Sequence, residues 1–105
     1  MYHLYFYVPE SHLEQVKQAV FAAGAGKVGN YSCCAWQTKG EGQYRPDKGS
    51  NPYKGEIDKV EYVLEIKVET ICCQESLEQV IQALKKAHPY EVPAYGAIKI
   101  LMTCS

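Results

Sequence analysis

Val60-Glu61-Tyr62-Val63-Leu64-Glu65-Ile66-Lys67-Val68-Glu69-Thr70 is the stretch on which the fold turns. Val60, Tyr62, Leu64, Ile66 and Val68 fall on one side of a period-two repeat, and Glu61, Val63, Glu65, Lys67 and Glu69 on the other. Side chains of an extended chain point alternately to opposite faces, so the pattern predicts a strand with one face in the core. Tyr2 to Val8 repeats the device, with Tyr2, Leu4, Phe6 and Val8 set against His3, Tyr5 and Tyr7, and Pro9 closes it. Ser11 with Glu14 reads as a capping box opening a helix through Leu13, Val16, Val20 and Ala23 to Gly24. Ser76 with Gln79 reads as a second box, before Leu77, Val80, Ile81, Leu84 and His88 at helical spacing and Pro89 as the stop. A weaker strand is expected from Val28 or Asn30 to about Thr38, and a last one from Tyr95 to Met102.

The order strand, helix, strand, strand, helix, strand is the split β-α-β pattern of the ferredoxin-like fold: α+β, an antiparallel four-stranded sheet with both helices on one face. The first and third strands then lie in the centre. Their uncovered face carries His3, Tyr5, Tyr7, Val63, Glu65 and Lys67, too aromatic for a solvated surface and too charged for a private core, which predicts a meeting with another subunit. Residues 40–56, with Gly40, Gly42, Pro46, Gly49, Pro52 and Gly55, are expected to form a long loop, functional or mobile.

A chain of 105 residues suits one domain, 1–105. Its formal charge of -1 draws it to neither nucleic acid nor an anionic membrane, and no apolar run is long enough to span a bilayer. No secretory leader is read at the N-terminus, and the five cysteines, four in adjacent pairs, do not form a disulfide framework. Reduced thiols in the cytoplasm are expected.

Gly24-Ala25-Gly26-Lys27-Val28-Gly29 matches the letters of a dinucleotide-binding loop, yet it follows a helix and opens a strand, the reverse of what phosphate binding at a helix N-terminus needs. It reads as a helix-to-strand turn, with Lys27 and nearby amides left as a potential anion holder. If the second and third strands pair about a centre near Gly49, Cys34 lies opposite Leu64 and about 25 Å from Cys72, which disfavours a four-cysteine metal site. His88 ends its helix beside Pro89-Tyr90-Glu91-Val92-Pro93; it reads either as an oriented core histidine or as a ligand or metal partner of Glu91 or His3. Tyr44, Arg45, Lys48, Tyr53 and Lys54 make the long loop basic and aromatic, suited to an anionic metabolite or a protein partner. No nucleophile-base order or paired-carboxylate spacing appears, so no catalytic residue is assigned.

Gly26 to Ser32, Cys34-Ala35-Trp36, Gly40-Glu41-Gly42, Tyr44-Arg45-Pro46, Gly49-Ser50-Asn51-Pro52, Gly55 and Ala87-His88-Pro89-Tyr90-Glu91 together resemble the insert domain of the Nif-three-like (YqfO) family over about residues 1–103. The His88-to-Pro93 stretch is also similar to the equivalent turn of CutA, a divalent-cation-tolerance protein. The resemblance implies a PII/CutA-like form of the fold and a homotrimer. Nif-three-like proteins hold a dinuclear metal centre in a separate α/β core, and some carry a GTP cyclohydrolase label; neither is carried over to these residues, and no cofactor is expected. The combined expectation is a non-enzymatic ligand-binding or regulatory module with clefts between subunits. Lys27, Asn30, Tyr44 and Arg45 are expected to hold an anionic ligand or partner, while His88, Tyr90 and Glu91 shape the floor. The alternative is a CutA-like divalent metal-binding protein using His88 and Glu91, with a cysteine as a further candidate ligand.

Overall fold

The computed structural model describes residues 1–104. Strand β1 (Tyr2–Pro9) leads through a short 3-10 turn into helix α1 (Leu13–Ala22). Strands β2 (Ala35–Tyr44) and β3 (Glu61–Cys72), helix α2 (Gln74–Ala87) and strand β4 (Tyr95–Lys99) follow. The sheet is antiparallel in the order β2-β3-β1-β4, with β1 and β3 central. This is the expected ferredoxin-like sandwich.

Its core forms where the alternating faces meet the helix stripes. Leu4, Phe6 and Val8 of β1 and Ile66, Val68 and Cys72 of β3 pack with Val16 and Val20 of α1 and Val80 and Leu84 of α2. Paired residues share a face, and the register Tyr7↔Lys67 puts His3, Tyr5, Tyr7, Val63, Glu65 and Lys67 on the side away from the helices. On that open face His3 Nε2 lies 3.1 Å from Glu69, and the Lys67 ammonium sits 5.3 Å from the centre of the Tyr5 ring.

Several expectations are corrected. Neither capping box forms: Ser11 Oγ contacts His12 Nδ1, and α2 begins at Gln74, so Ser76 lies inside the helix. Strand β2 starts and ends later than expected, and the loop spans 45–60 in place of 40–56. Gly40 and Gly42 disguised the strand, since glycine weakens a strand pattern in sequence yet is tolerated on an edge. The register moves accordingly: Glu41, not Cys34, faces Leu64, while Ala35 faces Thr70. Cys34 thus arrives at the far end of β3, where its carbonyl accepts the Thr70 hydroxyl at 2.7 Å. β4 ends at Lys99, short of Met102. The thiols are not all reduced either, because Cys73 is joined to Cys104 while Cys33, Cys34 and Cys72 are free.

The glycine-rich turn has the structural role its position implied. Gly26 has a φ of +80° and ties β3 to the residue just before β2, donating to Ile71 O and accepting from Cys34 N. No helix among the described residues is long and apolar enough to cross a membrane.

Candidate functional site

Pro89 ends α2, and the chain from His88 to Ala94 must turn from the helix layer back to the sheet. Its anchor is the backbone of Tyr7. The Tyr7 amide donates to Ala94 O at 3.1 Å, and His88 Nε2 donates to Tyr7 O at 2.7 Å. His88 Nδ1 in turn accepts the Tyr90 amide at 3.1 Å. A carbonyl can only accept and an amide only donate, so these partners fix the neutral tautomer protonated on Nε2. Burial lowers the His88 pKa from its usual value, against the opposing pull of the Tyr7 bond and Glu65. With 6% of its surface exposed and both nitrogens engaged, His88 is a structural pin. Of its two expected roles this is the oriented core histidine, and a metal or ligand could reach a ring nitrogen only by displacing one of these bonds.

The pin presents Tyr90, whose ring lies 4.9 Å from that of His88. The Tyr90 hydroxyl donates to Glu65 Oε2 at 3.0 Å across the end of the sheet. Glu65 reaches that position by crossing Gly42 of β2, where a Cβ would collide with its carboxylate. The 45–60 loop closes the other side. Tyr44 donates to Lys54 O at 2.6 Å, the Asn51 amide donates to Glu91 Oε2 at 3.1 Å, and the Tyr53 ring packs edge-on against His12. Tyr44 and Tyr53 flank Tyr90 with ring centres 5.8 and 6.1 Å from it.

The result is an open pocket of about 280 Å³ walled by these three rings, with Pro46, Pro52 and Val92 beside them and Glu65 and Glu91 at its edges. The pKa of Tyr90 is strongly raised, first by burial and then by its bond to Glu65; that of Tyr44 is raised by burial and by Glu61 and Glu65. Both phenols therefore stay neutral donors in a negative field.

Of the residues singled out in the sequence, Tyr44, Tyr90 and Glu91 converge here, with His88 beneath them. Arg45 neighbours the pocket but points its guanidinium at Asp47, 3.2 Å away on the surface. Lys27 and Asn30 lie elsewhere: both are exposed around a turn closed by Val28 and Tyr31, beside Ile71. Six residues of β3 separate Ile71 from Glu65, about 20 Å of strand. The expected grouping of Lys27 with Arg45 and Tyr44 is therefore not formed within one chain. Tyr53, named in the sequence with the basic and aromatic loop, joins Tyr44, Tyr90 and Glu91, whereas Glu65 was not foreseen as a pocket residue. Glu65 carried a signal only as an acidic side chain on an uncovered strand face. Among the described residues, the metal-ligating side chains that cluster are Cys73, Glu75 and Cys104, two of which share the disulfide.

No family model matches the chain. It is 44% identical over 95 residues to the GTP cyclohydrolase 1 type 2 homolog of Halalkalibacterium halodurans, covering 90% of this chain and 26% of that protein. It is 40% identical over 97 residues to the same-named protein of Bacillus subtilis, covering 92% and 26%. Among solved structures, a Bacillus cereus protein related to NIF3 superposes with a TM-score of 0.82 at 35% identity, over 96% of this chain and 26% of that one. The periplasmic divalent cation tolerance protein CutA from Archaeoglobus fulgidus superposes with a TM-score of 0.67 at 18% identity, over 99% and 88%. The chain thus shares the fold of CutA, and it resembles Nif-three-like proteins over about a quarter of their length.

Proposed function

We propose that this chain is a non-enzymatic ligand-binding or regulatory module, working as a homo-oligomer, a trimer by its resemblance, with its ligand held in the Tyr44–Tyr53–Tyr90 pocket. The observation that carries the reading is the construction of that pocket. A loop and a joint distant in sequence are tied together by Asn51–Glu91 and Tyr90–Glu65 bonds around a cavity, an arrangement more specific than packing needs.

Self-association is supported by what the fold leaves uncovered. Trp36 is 70% exposed, and Tyr62, Leu64 and Ile98 are each more than half exposed. Trp36 and Ile98 stand on the open face and Tyr62 and Leu64 on the helix side of the β2–β3 arm, so both faces of the sheet offer apolar surface to a neighbour. Native mass spectrometry of untagged protein, purified without chelator, tests the reading. A trimer retaining a small-molecule mass that is lost in Tyr90→Ala is the expected result, and a bare monomer that binds nothing would overturn it.

The metal-binding alternative suggested by CutA is weakened by the two bonds that occupy His88. A divalent ion retained by wild-type protein and lost in Glu91→Gln would restore it.

A further inference from the structure

Taking the tyrosine pocket to be a ligand site, as proposed above, we infer that its ligand is an organic ammonium, a positively charged nitrogen bearing apolar groups. Three phenol rings form the walls, and two carboxylates, Glu65 and Glu91, supply the charge at the rim. No lysine or arginine lines the pocket. The Lys54 ammonium lies 3.7 Å from Glu61, and Arg45 is turned to Asp47.

Each other ligand class meets a physical obstacle. An anion would face two carboxylates with no cation to offset them. A neutral apolar molecule would fit the walls but gain no charge pairing from the carboxylates, which keep only their bonds to the Tyr90 hydroxyl and the Asn51 amide. A hard divalent ion needs several oxygen ligands, whereas Glu65 and Glu91 belong to no cluster of three ligating groups among the described residues. A weakly hydrated ammonium satisfies both halves of the site, since aromatic faces attract cations through their quadrupole and carboxylates add direct charge pairing. The Tyr44 phenol is raised first by burial and then by Glu61 and Glu65, in keeping with that negative field.

Three probes of similar shape separate the classes: choline, its neutral isostere 3,3-dimethylbutan-1-ol, and the anion 3,3-dimethylbutanoate. Binding is read on the wild-type protein by calorimetry and by the amide NMR signals of Asn51, Tyr90 and Glu91. The expected result is that choline binds at least about tenfold tighter than the alcohol and shifts those amides. The advantage should fall in Glu91→Gln, which keeps an oxygen acceptor for the Asn51 amide, and in Tyr53→Leu, which keeps apolar bulk on a half-exposed position. If the alcohol or the carboxylate shifts the same amides with equal or higher affinity, the cation inference fails and the pocket reading stands. If none of the three shifts them at millimolar concentration, both fall.

Discussion

Strand β3 holds two halves written in one pattern and buried very differently. Ile66, Val68, Thr70 and Cys72 are almost completely covered, whereas Tyr62 and Leu64, in the same alternation and on the same face, are 56% and 51% exposed. The difference lies in length. Twelve residues of strand extend about 40 Å, while helices of ten and fourteen residues reach only about 15 and 21 Å. Two such helices cannot roof the whole strand, and the β2–β3 arm projects from the core to give a molecule 47 × 24 × 23 Å. Alternation therefore specifies a face and leaves its cover open. The pocket sits where the roof ends, between arm and joint.

The contrast breaks most sharply under truncation. Leu84→Ala, in the α2 roof over the covered half, should cost about 2–5 kcal/mol in urea unfolding, because it opens a cavity in a packed core. Leu64→Ala on the arm should stay within about 0.5 kcal/mol in a monomer, as surface changes do. A comparable loss at Leu64 would show that a second copy roofs the arm.

His88 sharpens the contrast at the junction. His88→Gln should cost about 1–3 kcal/mol by leaving the Tyr7 carbonyl or the Tyr90 amide unpaired. The pH dependence has a definite sign. The folded-state pKa lies below the usual 6.5, so the unfolded chain binds the proton first as pH falls. The stabilisation is fully present above about pH 6.5 and declines as pH drops from there toward the folded value. Urea titrations of wild type and His88→Gln should therefore converge on acidification; a constant difference would mean that His88 does not titrate as described.

Gly42→Ala tests whether arm and joint communicate through Glu65. A Cβ there displaces the carboxylate that accepts from Tyr90, with an expected cost of about 1 kcal/mol, the usual worth of one hydrogen bond. The Tyr90 amide signal should move while those of the helices do not. Smallest in energy is a count of thiols: native alkylation should label Cys33 and Cys34 readily and Cys72 slowly, and should reach Cys73 and Cys104 only after reduction. Five labels without reductant would restore the reading of reduced thiols.

The local signals in this chain were strong where one chemical rule acted alone. Period-two alternation gave β1 and β3, helical spacing gave α1 and α2, and Pro89 gave the end of α2. The signals failed where a tertiary partner decided. Gly40 and Gly42 read as loop because nothing in their own chemistry marks an edge strand crossed by Glu65. Ser11 and Ser76 had the spacing of caps, but packing set the helix starts elsewhere. Within the candidate site, Tyr44, Tyr90 and Glu91 were legible from their place beside prolines and glycines. Tyr53 was legible as an aromatic of the long loop, but Glu65 was not, since it enters the pocket only through its contact with Tyr90, far away in sequence.

By itself the sequence determined the order of elements, the two central strands and the aromatic character of the uncovered face, because those depend on local periodicity. Only the tertiary structure decided the β2 register, the separation of Lys27 from the pocket and the pinned state of His88. A shift of register along a strand relocates every side chain downstream of it, and a histidine's two nitrogens acquire their roles from whichever groups the fold brings to them.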